Sequence, residues 1–432
     1  MKITKFILLM SLCLTTAQAR ERGYDNYLYR CNEKLIEVIM EDLFTPPVAS
    51  RVQVYPNIAA YEVLAIGDPQ LLSLSHQFKH LLPLTLKREN INYSIAAEFA
   101  FTTVAKKLVF SEYLISEFEI IEKNTWREKA IDSTTLSNSI RYGVNAGNMI
   151  INWLQNDNYA HVKTLERYVL SENPGAWQPT PPEFSNAVEP NWHLLRTLVT
   201  DSSSQFIPKA CTPYSEQKNS NFYKEAYAVY KTGNSLNTTE KSIAQFWDCN
   251  PNISISRGHL TYFIHKISPG GHWIKIAGQA CKNLSYDEYR SAETYTLLSI
   301  AIYEGFISCW TEKFKVNLIR PETYINKLID PKWEPYLQTP PFPEFPSGHS
   351  VISNASAFIL TQLIPQPYAF TDSSEIYINL PARRFPSFEE AAKEASLSRF
   401  YGGIHFMPAI ENGAEQGKAL ANYIFKNIHT RK

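Results

Sequence analysis

Long runs of apolar residues at helical spacing constrain the fold of this chain more than any other feature of its sequence. Residues 91–110 and 133–156 repeat apolar side chains at steps of three and four. This spacing places the apolar side chains along one face of an α-helix. Alternating patterns with hairpin turns, which are typical of strands, are scarce. The sequence therefore predicts an all-α protein built from two packed helical bundles.

Two short motifs predict where further helices begin. Asn237-x-x-Glu240 and Ser285-x-x-Glu288 have the form of capping boxes, in which each side chain bonds the backbone of the other residue. The second box would open a helix that begins at residue 286. We expect this helix to end at about residue 319, because Pro321 does not allow an easy continuation.

The first nineteen residues have the composition of a secretory signal peptide. Lys2 and Lys5 form a basic start, residues 6–14 an apolar core, and Ala17-Gln18-Ala19 a small-residue cleavage site. We expect cleavage after Ala19 and export to the periplasm or the medium. The apolar core is too short to span a bilayer, and no later segment is long and apolar enough, so we expect a protein that is not embedded in a membrane.

The remaining chain is predicted to contain an N-terminal helical region, residues 20–235, and a C-terminal helical bundle, residues 236–432. The formal net charge of the 432 residues is +0, and loss of Lys2 and Lys5 would leave it slightly negative. This balance gives no support for nucleic acid or an anionic membrane surface as a partner.

The cysteines and histidines give little support for a conventional zinc site. Five cysteines follow the signal peptide, so at least one thiol is expected to be free and the pairing of the others is left open. Neither Cys-x-x-Cys nor His-Glu-x-x-His occurs. His259, His265 and His272 lie six and seven residues apart, which matches no familiar zinc pattern, and we expect them to be structural or to line a cleft.

Lys313-x6-Arg320-Pro321 is the first of three segments that predict a site. Seven residues are close to two helical turns, so Lys313 and Arg320 would project from one helix face, shared with Trp310. Two cations in this arrangement repel unless a negative group lies between them. Taken alone, a solvated basic stripe is the simpler explanation.

The second segment is Pro346-Ser347-Gly348-His349, which precedes an apolar, helix-like run. Ser347 offers a hydroxyl, and Gly348 offers an amide that an anion can approach closely because no side chain intervenes. His349 would then face the bound anion from the start of the helix. Alone, this segment is explained as well by a capping serine and a structural histidine.

The third segment is Ser398-Arg399-x5-His405, in which Gly402-Gly403 lets the chain turn so that Arg399 and His405 aim at one point. Each segment by itself has a structural explanation. Together they supply three cations, hydroxyl and amide donors and two histidines, and guanidinium groups suit the oxygens of a tetrahedral anion such as phosphate or vanadate.

The order K-x6-RP, PSGH and SR-x5-H resembles the signature of the superfamily of type 2 phosphatidic acid phosphatases and vanadium-dependent haloperoxidases. Every signature residue is present between Trp310 and His405. The more loosely matching "VYPNIAAYEVL", "PTPPEF" and "GHW" resemble soluble bacterial haloperoxidases, including iodide peroxidases. The resemblance implies the fold of that family and an oxyanion site in the C-terminal bundle.

The resemblance also implies a role for each signature residue. Lys313, Arg320 and Arg399 would bind the equatorial oxygens of vanadate, with Ser347 and Gly348 adding hydrogen bonds. His405 would be the axial ligand of vanadium, or the nucleophile of a phosphatase. His349 would be the acid–base histidine, and Lys313 would polarise bound peroxide.

The signature does not separate a peroxidase from a phosphatase, because vanadate resembles the phosphoryl transition state. Trp310 and Phe342 stand where the resemblance places aromatic walls that would hold a halide, although core packing explains them nearly as well. We expect an exported enzyme that oxidises iodide or bromide with hydrogen peroxide. An acid phosphatase with a phosphohistidine at position 405 is the alternative, and an oxyanion-binding protein without activity is a third. The halide, organic acceptor and oligomeric state stay open.

Overall fold

The computed structural model describes residues 26–432 except Arg88, Asn252 and Gly258, so the predicted signal peptide lies outside the described residues. Helices dominate this part of the chain, as predicted. In chain order they are α1 (Tyr27–Glu41), α2 (Pro46–Gly67), α3 (Tyr93–Leu108), α4 (Glu112–Glu128), α5 (Ser133–Leu154), α6 (Tyr159–Val162), α7 (Asn221–Gly233), α8 (Thr238–Phe246), α9 (Pro269–Asn283), α10 (Glu288–Val316), α11 (Pro321–Leu328), α12 (Gly348–Leu363), α13 (Phe388–Tyr401) and α14 (Met407–Asn427).

Extended structure is limited to short pairs within the described ranges. Strand β1 (Ser254–Arg257) pairs antiparallel with β2 (Leu260–Phe263), and β3 (Phe370–Asp372) pairs antiparallel with β4 (Arg383–Phe385). Short 3-10 turns cover Trp192–Leu194 and Ile376–Ile378. The all-α prediction is confirmed.

The helices pack as two bundles that share the long helix α10. In the N-terminal bundle α3 packs between α2 and α5, and in the C-terminal bundle α12 packs against α13 and α14. Helix α10 contacts both α2 and α12, and it is buried over most of its 29 residues. Polar residues such as Glu304 and Lys313 are buried in α10 together with its apolar ones, and the apolar residues join both bundles into one hydrophobic core.

Most of the predicted helices form close to their expected limits. The periodic segments 91–110 and 133–156 become α3 and α5. Asn237 and Glu240 form the predicted capping box, with the Asn237 side chain accepting from the Glu240 amide and the Glu240 carboxylate accepting from the Asn237 amide. The apolar spacing and the capping box both depend on residues that are close in the sequence, and the structure confirms the helices that they predict.

The predicted start and end of the central helix are wrong. Asp287, rather than Ser285, caps α10 by accepting from the Arg290 amide. Ser285 instead has a φ of 51° in the turn that follows α9. The helix stops at Val316, three residues before the predicted end, because Asn317 adopts a left-handed conformation with a φ of 52°.

The predicted domain boundary at residue 235 falls in the turn between α7 and α8 and stays a prediction. Within the described ranges, no helix combines the length and apolar character that crossing a bilayer requires. The cysteines of this part carry free thiols, in agreement with the expectation of at least one; they are Cys31, Cys211, Cys249, Cys281 and Cys309.

Candidate active site

The proline-rich loop of residues 340–346 is fastened to the end of α10 by Lys313. The fully buried ammonium group donates to the backbone carbonyls of Pro343 (2.9 Å), Glu344 (3.1 Å) and Pro346 (2.5 Å). These bonds use all three ammonium protons. Lys313 therefore fixes the loop from which α12 starts, and direct contact with an anion would require it to exchange one of the carbonyls.

Arg320 reaches the same loop by a route that the sequence did not predict. Lys313 and Arg320 do not share a helix face, because the left-handed Asn317 ends α10 and the chain continues in extended form to Arg320. Arg320 Nε donates to the Phe342 carbonyl (2.9 Å) and Nη1 to the Ile404 carbonyl (2.8 Å). Its Nη2 atom is buried with no hydrogen-bond partner among the described residues.

His405 is held in one orientation from both sides of its ring. Nδ1 lies 2.9 Å from Glu344 Oε1, and Nε2 lies 3.1 Å from Arg320 Nη1. Burial, followed by the charge of Arg320, holds the pKa of His405 well below its usual value, so the ring is neutral at neutral pH. Because Arg320 can only donate, the single ring proton lies on Nδ1, and Nε2 presents a lone pair.

Glu344 therefore orients His405. Its Oε1 atom also accepts from the Phe406 amide at 2.9 Å. Burial raises the pKa of Glu344 to about 7, against the opposing charges of Arg320 and Lys313. Glu344 thus supports His405 and the start of the segment that follows it.

Arg399 enters the site from the end of α13. Gly402 and Gly403 turn the chain there, and the φ of +76° at Gly403 requires glycine, as predicted from the pair. Arg399 Nη1 donates to the Trp247 carbonyl at 3.1 Å, and Nη2 lies 3.9 Å from Asp248 Oδ1. The Nε atom is buried and has no hydrogen-bond partner in the described part of the chain.

Ser347, Gly348 and His349 form the start of α12. Ser347 is the N-cap and accepts from the Ser350 amide at 3.4 Å. A Cβ atom added at Gly348 would lie 3.5 Å from the Trp310 ring, so the missing side chain leaves open the space beside it. Burial, then the charge of Arg399, lowers the pKa of His349 well below its usual value. Its buried Nε2 finds no partner among residues 26–432 as described.

A small cavity of about 30 Å³ is bordered by Gly348, His349, Arg399 and His405. By this measure one water occupies roughly 10–15 Å³, so the cavity has room for about two water-sized groups. Trp310 and Phe342 form part of its wall, with ring centroids 4.9 Å apart. Its lining is Pro46, Cys249, Asn250, Pro269, Phe306, Trp310, Pro340, Phe342, Gly348, His349, Arg399 and His405.

The structure thus brings together all the residues predicted for the site, although it arranges some of them differently. Burial lowers the pKa of Lys313 to about 7 and also lowers that of Arg320 and Arg399. Desolvation disfavours each cation, and a negative ligand would offset it. The remaining donors, Arg320 Nη2 and Arg399 Nε, define a site for an anion.

Sequence reasoning missed the contacts from residues 247–250. The Trp247 carbonyl and the Asp248 carboxylate hold Arg399, while Cys249 and Asn250 line the cavity. These residues follow α8, and no spacing in the sequence relates them to the signature. Only the packing of α8 against α13 brings them to the site.

The fold and site define an all-α protein with a buried, cationic oxyanion pocket. Comparison with known proteins refines this class. A family model described as the VCPO second helical-bundle domain matches residues 293–431. A search of curated protein sequences finds no match.

The structure of a bacterial vanadium-dependent iodoperoxidase is similar to this chain with a TM-score of 0.89 and 39% sequence identity, over 94% of this chain and 97% of the other. Holo-type and apo-type bacterial vanadium-dependent chloroperoxidases share the fold. Their TM-scores are 0.70 and 0.66 at 16% and 17% identity, over 95% and 88% of this chain and 98% and 94% of theirs. The chain belongs to the vanadium-dependent haloperoxidase family.

Proposed function

We propose that the protein is a vanadate-dependent halide peroxidase that oxidises iodide or bromide with hydrogen peroxide and takes up one proton, yielding hypohalous acid and water. One observation carries the proposal. A single small cavity is lined by Arg399 and His349, whose Nε and Nε2 atoms lack hydrogen-bond partners in the described residues, and by the neutral His405. The 39% identity to a bacterial iodoperoxidase supports iodide as the preferred halide.

The residues present fit vanadate. Arg320 Nη2 and Arg399 Nε supply charged donors, and the unfilled space at Gly348 lets an anion approach the start of α12. His405 Nε2 would be the ligand of vanadium once Arg320 Nη1, which lies 3.1 Å away, turns its proton to the anion, and Glu344 keeps the ring fixed. When bound, vanadate supplies a Lewis-acid centre that activates hydrogen peroxide towards attack by a halide.

His349 is suited to proton transfer in this pocket. Its ring lines the cavity, its lowered pKa keeps it neutral at neutral pH, and its Nε2 atom is available. Nε2 can accept a proton from hydrogen peroxide as the peroxide enters, and can return it to the oxygen that leaves. Lys313 holds the loop and contributes positive charge, and its predicted role in polarising peroxide stays a proposal.

Trp310 and Phe342 supply a wall that excludes water on one side of the pocket. The Phe342 ring lies 5.1 Å from Lys313 Nζ and 5.0 Å from the Arg320 guanidinium carbon. A halide beside these rings would be close to the buried cations and shielded from solvent.

The test measures two activities of one preparation, before and after vanadate is added. We expect iodide oxidation that depends on peroxide and vanadate, and we expect it to be lost in His349→Ala and His405→Ala. His76→Ala, at an exposed histidine, is the matched control. Hydrolysis of a chromogenic phosphomonoester that vanadate inhibits would instead identify a phosphatase. Phosphate binding with neither activity would identify a binding protein.

We also propose that the protein is exported after cleavage at Ala19. The support is the composition of residues 1–19. Expression of the full chain in a bacterium, followed by mass measurement of the exported protein, should give a chain that begins at Arg20. A chain that stays in the cell with Met1 intact would contradict the proposal.

A further inference from the structure

A second cluster of reactive side chains lies next to the anion pocket. Cys249 follows α8, His272 lies in the first turn of α9, and Asp372 and Glu375 lie at and just after the end of β3. The four side chains are buried, with exposed fractions between 0% and 2%. Three distant parts of the chain therefore deliver a thiol, an imidazole and two carboxylates to one point in the interior.

The distances within this cluster have the scale of a metal site. His272 Nδ1 lies 3.3 Å from Cys249 Sγ and 3.2 Å from Glu375 Oε1, and the sulfur and the oxygen are 4.0 Å apart. A point about 2.1 Å from all three atoms lies between them, close to the roughly 2.0–2.3 Å that Zn²⁺ keeps from nitrogen, oxygen and sulfur. The three atoms thus surround a position at which one cation would contact each of them.

Hydrogen bonds alone satisfy this arrangement poorly. Nδ1 carries at most one proton, which cannot serve both the sulfur and the carboxylate oxygen at full strength. With the ring proton on Nε2, the thiol can donate to Nδ1 at 3.3 Å, but Glu375 Oε1 then lies 3.2 Å from the same nitrogen with no proton between the two atoms. A cation with two positive charges would balance a thiolate and the Glu375 carboxylate and would be bound by all three groups.

Asp372 adds the feature that accompanies most metal-binding histidines. Its Oδ2 atom lies 2.7 Å from His272 Nε2, the ring nitrogen that faces away from the cluster. A carboxylate in this place fixes the tautomer that leaves Nδ1 free to bind a metal. The Trp247 ring stacks on His272 with centroids 4.5 Å apart, so the imidazole has little freedom to turn.

We propose that Cys249, His272 and Glu375 form a Zn²⁺-binding site in which Asp372 orients His272. Thiolate, imidazole and one carboxylate are ligands that Zn²⁺ accepts together, and thiolate disfavours magnesium and calcium. The site adjoins the anion pocket, because Cys249 also lines the cavity, but none of its ligand atoms belongs to the signature residues. It supports that pocket through Trp247, which contacts His272 with its ring and accepts from Arg399 with its carbonyl.

The test uses the full-length protein without vanadate, stripped with a chelator and then titrated with Zn²⁺ or with Co²⁺ as a spectroscopic substitute. We expect one ion per chain and a thiolate-to-cobalt charge-transfer absorption. Cys249→Ser should abolish this absorption, whereas Cys281→Ser, at another fully buried cysteine, should leave it unchanged. Asp372→Asn should keep the absorption but weaken the affinity roughly 10–100-fold.

Two results would overturn the proposal. If His405→Ala removes the ion, the ion belongs to the anion pocket rather than to this cluster. If X-ray absorption on the zinc-loaded wild-type protein finds no sulfur bound to zinc, Cys249 is not a ligand, and this measurement does not depend on whether a variant folds. In that case His272 is an imidazolium held between Asp372 and Glu375. None of these readouts depends on peroxidase activity.

Discussion

Replacing Glu344 with glutamine tests the role of His405 as a ligand most directly. Glu344 Oε1 accepts from both His405 Nδ1 and the Phe406 amide, each at 2.9 Å, and the carboxylate is fully buried. Glutamine keeps the shape and one acceptor oxygen, so the ring should stay in place. Only the negative charge behind the imidazole is removed, and Nε2 becomes a weaker electron donor.

The expected size of the effect requires a ratio, because two consequences of Glu344→Gln oppose each other. A weaker His405 ligand should lower vanadate affinity roughly 10–100-fold. Loss of a buried negative charge should strengthen the attraction of the cationic pocket for every anion, by an amount that depends on the local dielectric. Phosphate feels the second consequence but forms no bond to His405 on simple binding. The ratio of vanadate to phosphate affinity should therefore fall by roughly 10–100-fold, or about 1.4–2.7 kcal/mol.

Calorimetric titration of both anions into the protein provides the assay. Glu322→Gln is the matched control, because Glu322 is a buried carboxylate whose charge also acts on Arg320 but which accepts a hydrogen bond from Thr339. The control should leave the ratio unchanged. The orienting role of Glu344 would be refuted if the ratio in Glu344→Gln stayed within threefold of the wild-type value while His405→Ala abolished the preference for vanadate over phosphate.

Three further predictions concern the pH dependence of the site and the stability of the fold. Burial lowers the pKa of Lys313 from 10.5 to about 7, and a bound anion favours the charged form of the lysine. Binding of sulfate, whose own charge is constant, should therefore take up a proton. The sulfate affinity should weaken by up to roughly tenfold per pH unit above 7. Calorimetry should show this dependence lost in Lys313→Met, and its persistence would exclude Lys313 as the group that titrates. Gly403→Ala should lower the free energy of unfolding, measured with denaturant, by about 1–2 kcal/mol or more, because φ is +76° and the new Cβ would lie 3.1 Å from Trp333. The control Gly271→Ala, whose new Cβ would have neighbours at 3.4 Å or beyond, should change this free energy little. Asn237→Ala should cost about 1 kcal/mol of unfolding free energy, and an unchanged midpoint would show that the capping box adds no stability.

The parts of the fold that could be predicted depend on neighbours within a few residues. Apolar spacing in residues 91–110 and 133–156 fixed two helices because one helical face must be buried. The start of α10 could not be fixed in this way, since Ser285 and Asp287 are both good caps and only the turn after α9 decides between them.

The site shows the same division between local and distant signals. The signature named the residues that meet, but the reason that we gave for Lys313 and Arg320 was wrong. A spacing of seven fits a continuous helix and also fits a helix interrupted at Asn317, and asparagine before a proline-started helix was the signal for the break. Trp247 and the cluster around His272 had no such signal, because tertiary packing alone joins them.

The choice of partners explains how the chain keeps a cationic pocket ready for an anion. Lys313 is held by three backbone carbonyls, Arg320 by two and Arg399 by one. The Asp248 carboxylate, 3.9 Å from Arg399 Nη2, is itself paired with Lys266 at 2.7 Å. Carbonyl dipoles hold a buried cation in place without adding negative charge, whereas carboxylates in the same positions would repel a bound oxyanion. The carboxylate nearest His405, that of Glu344, bonds the back of the ring and so acts on the anion through Nε2. Backbone dipoles thus provide the rigidity of the site while its net positive charge is left for the anion to balance.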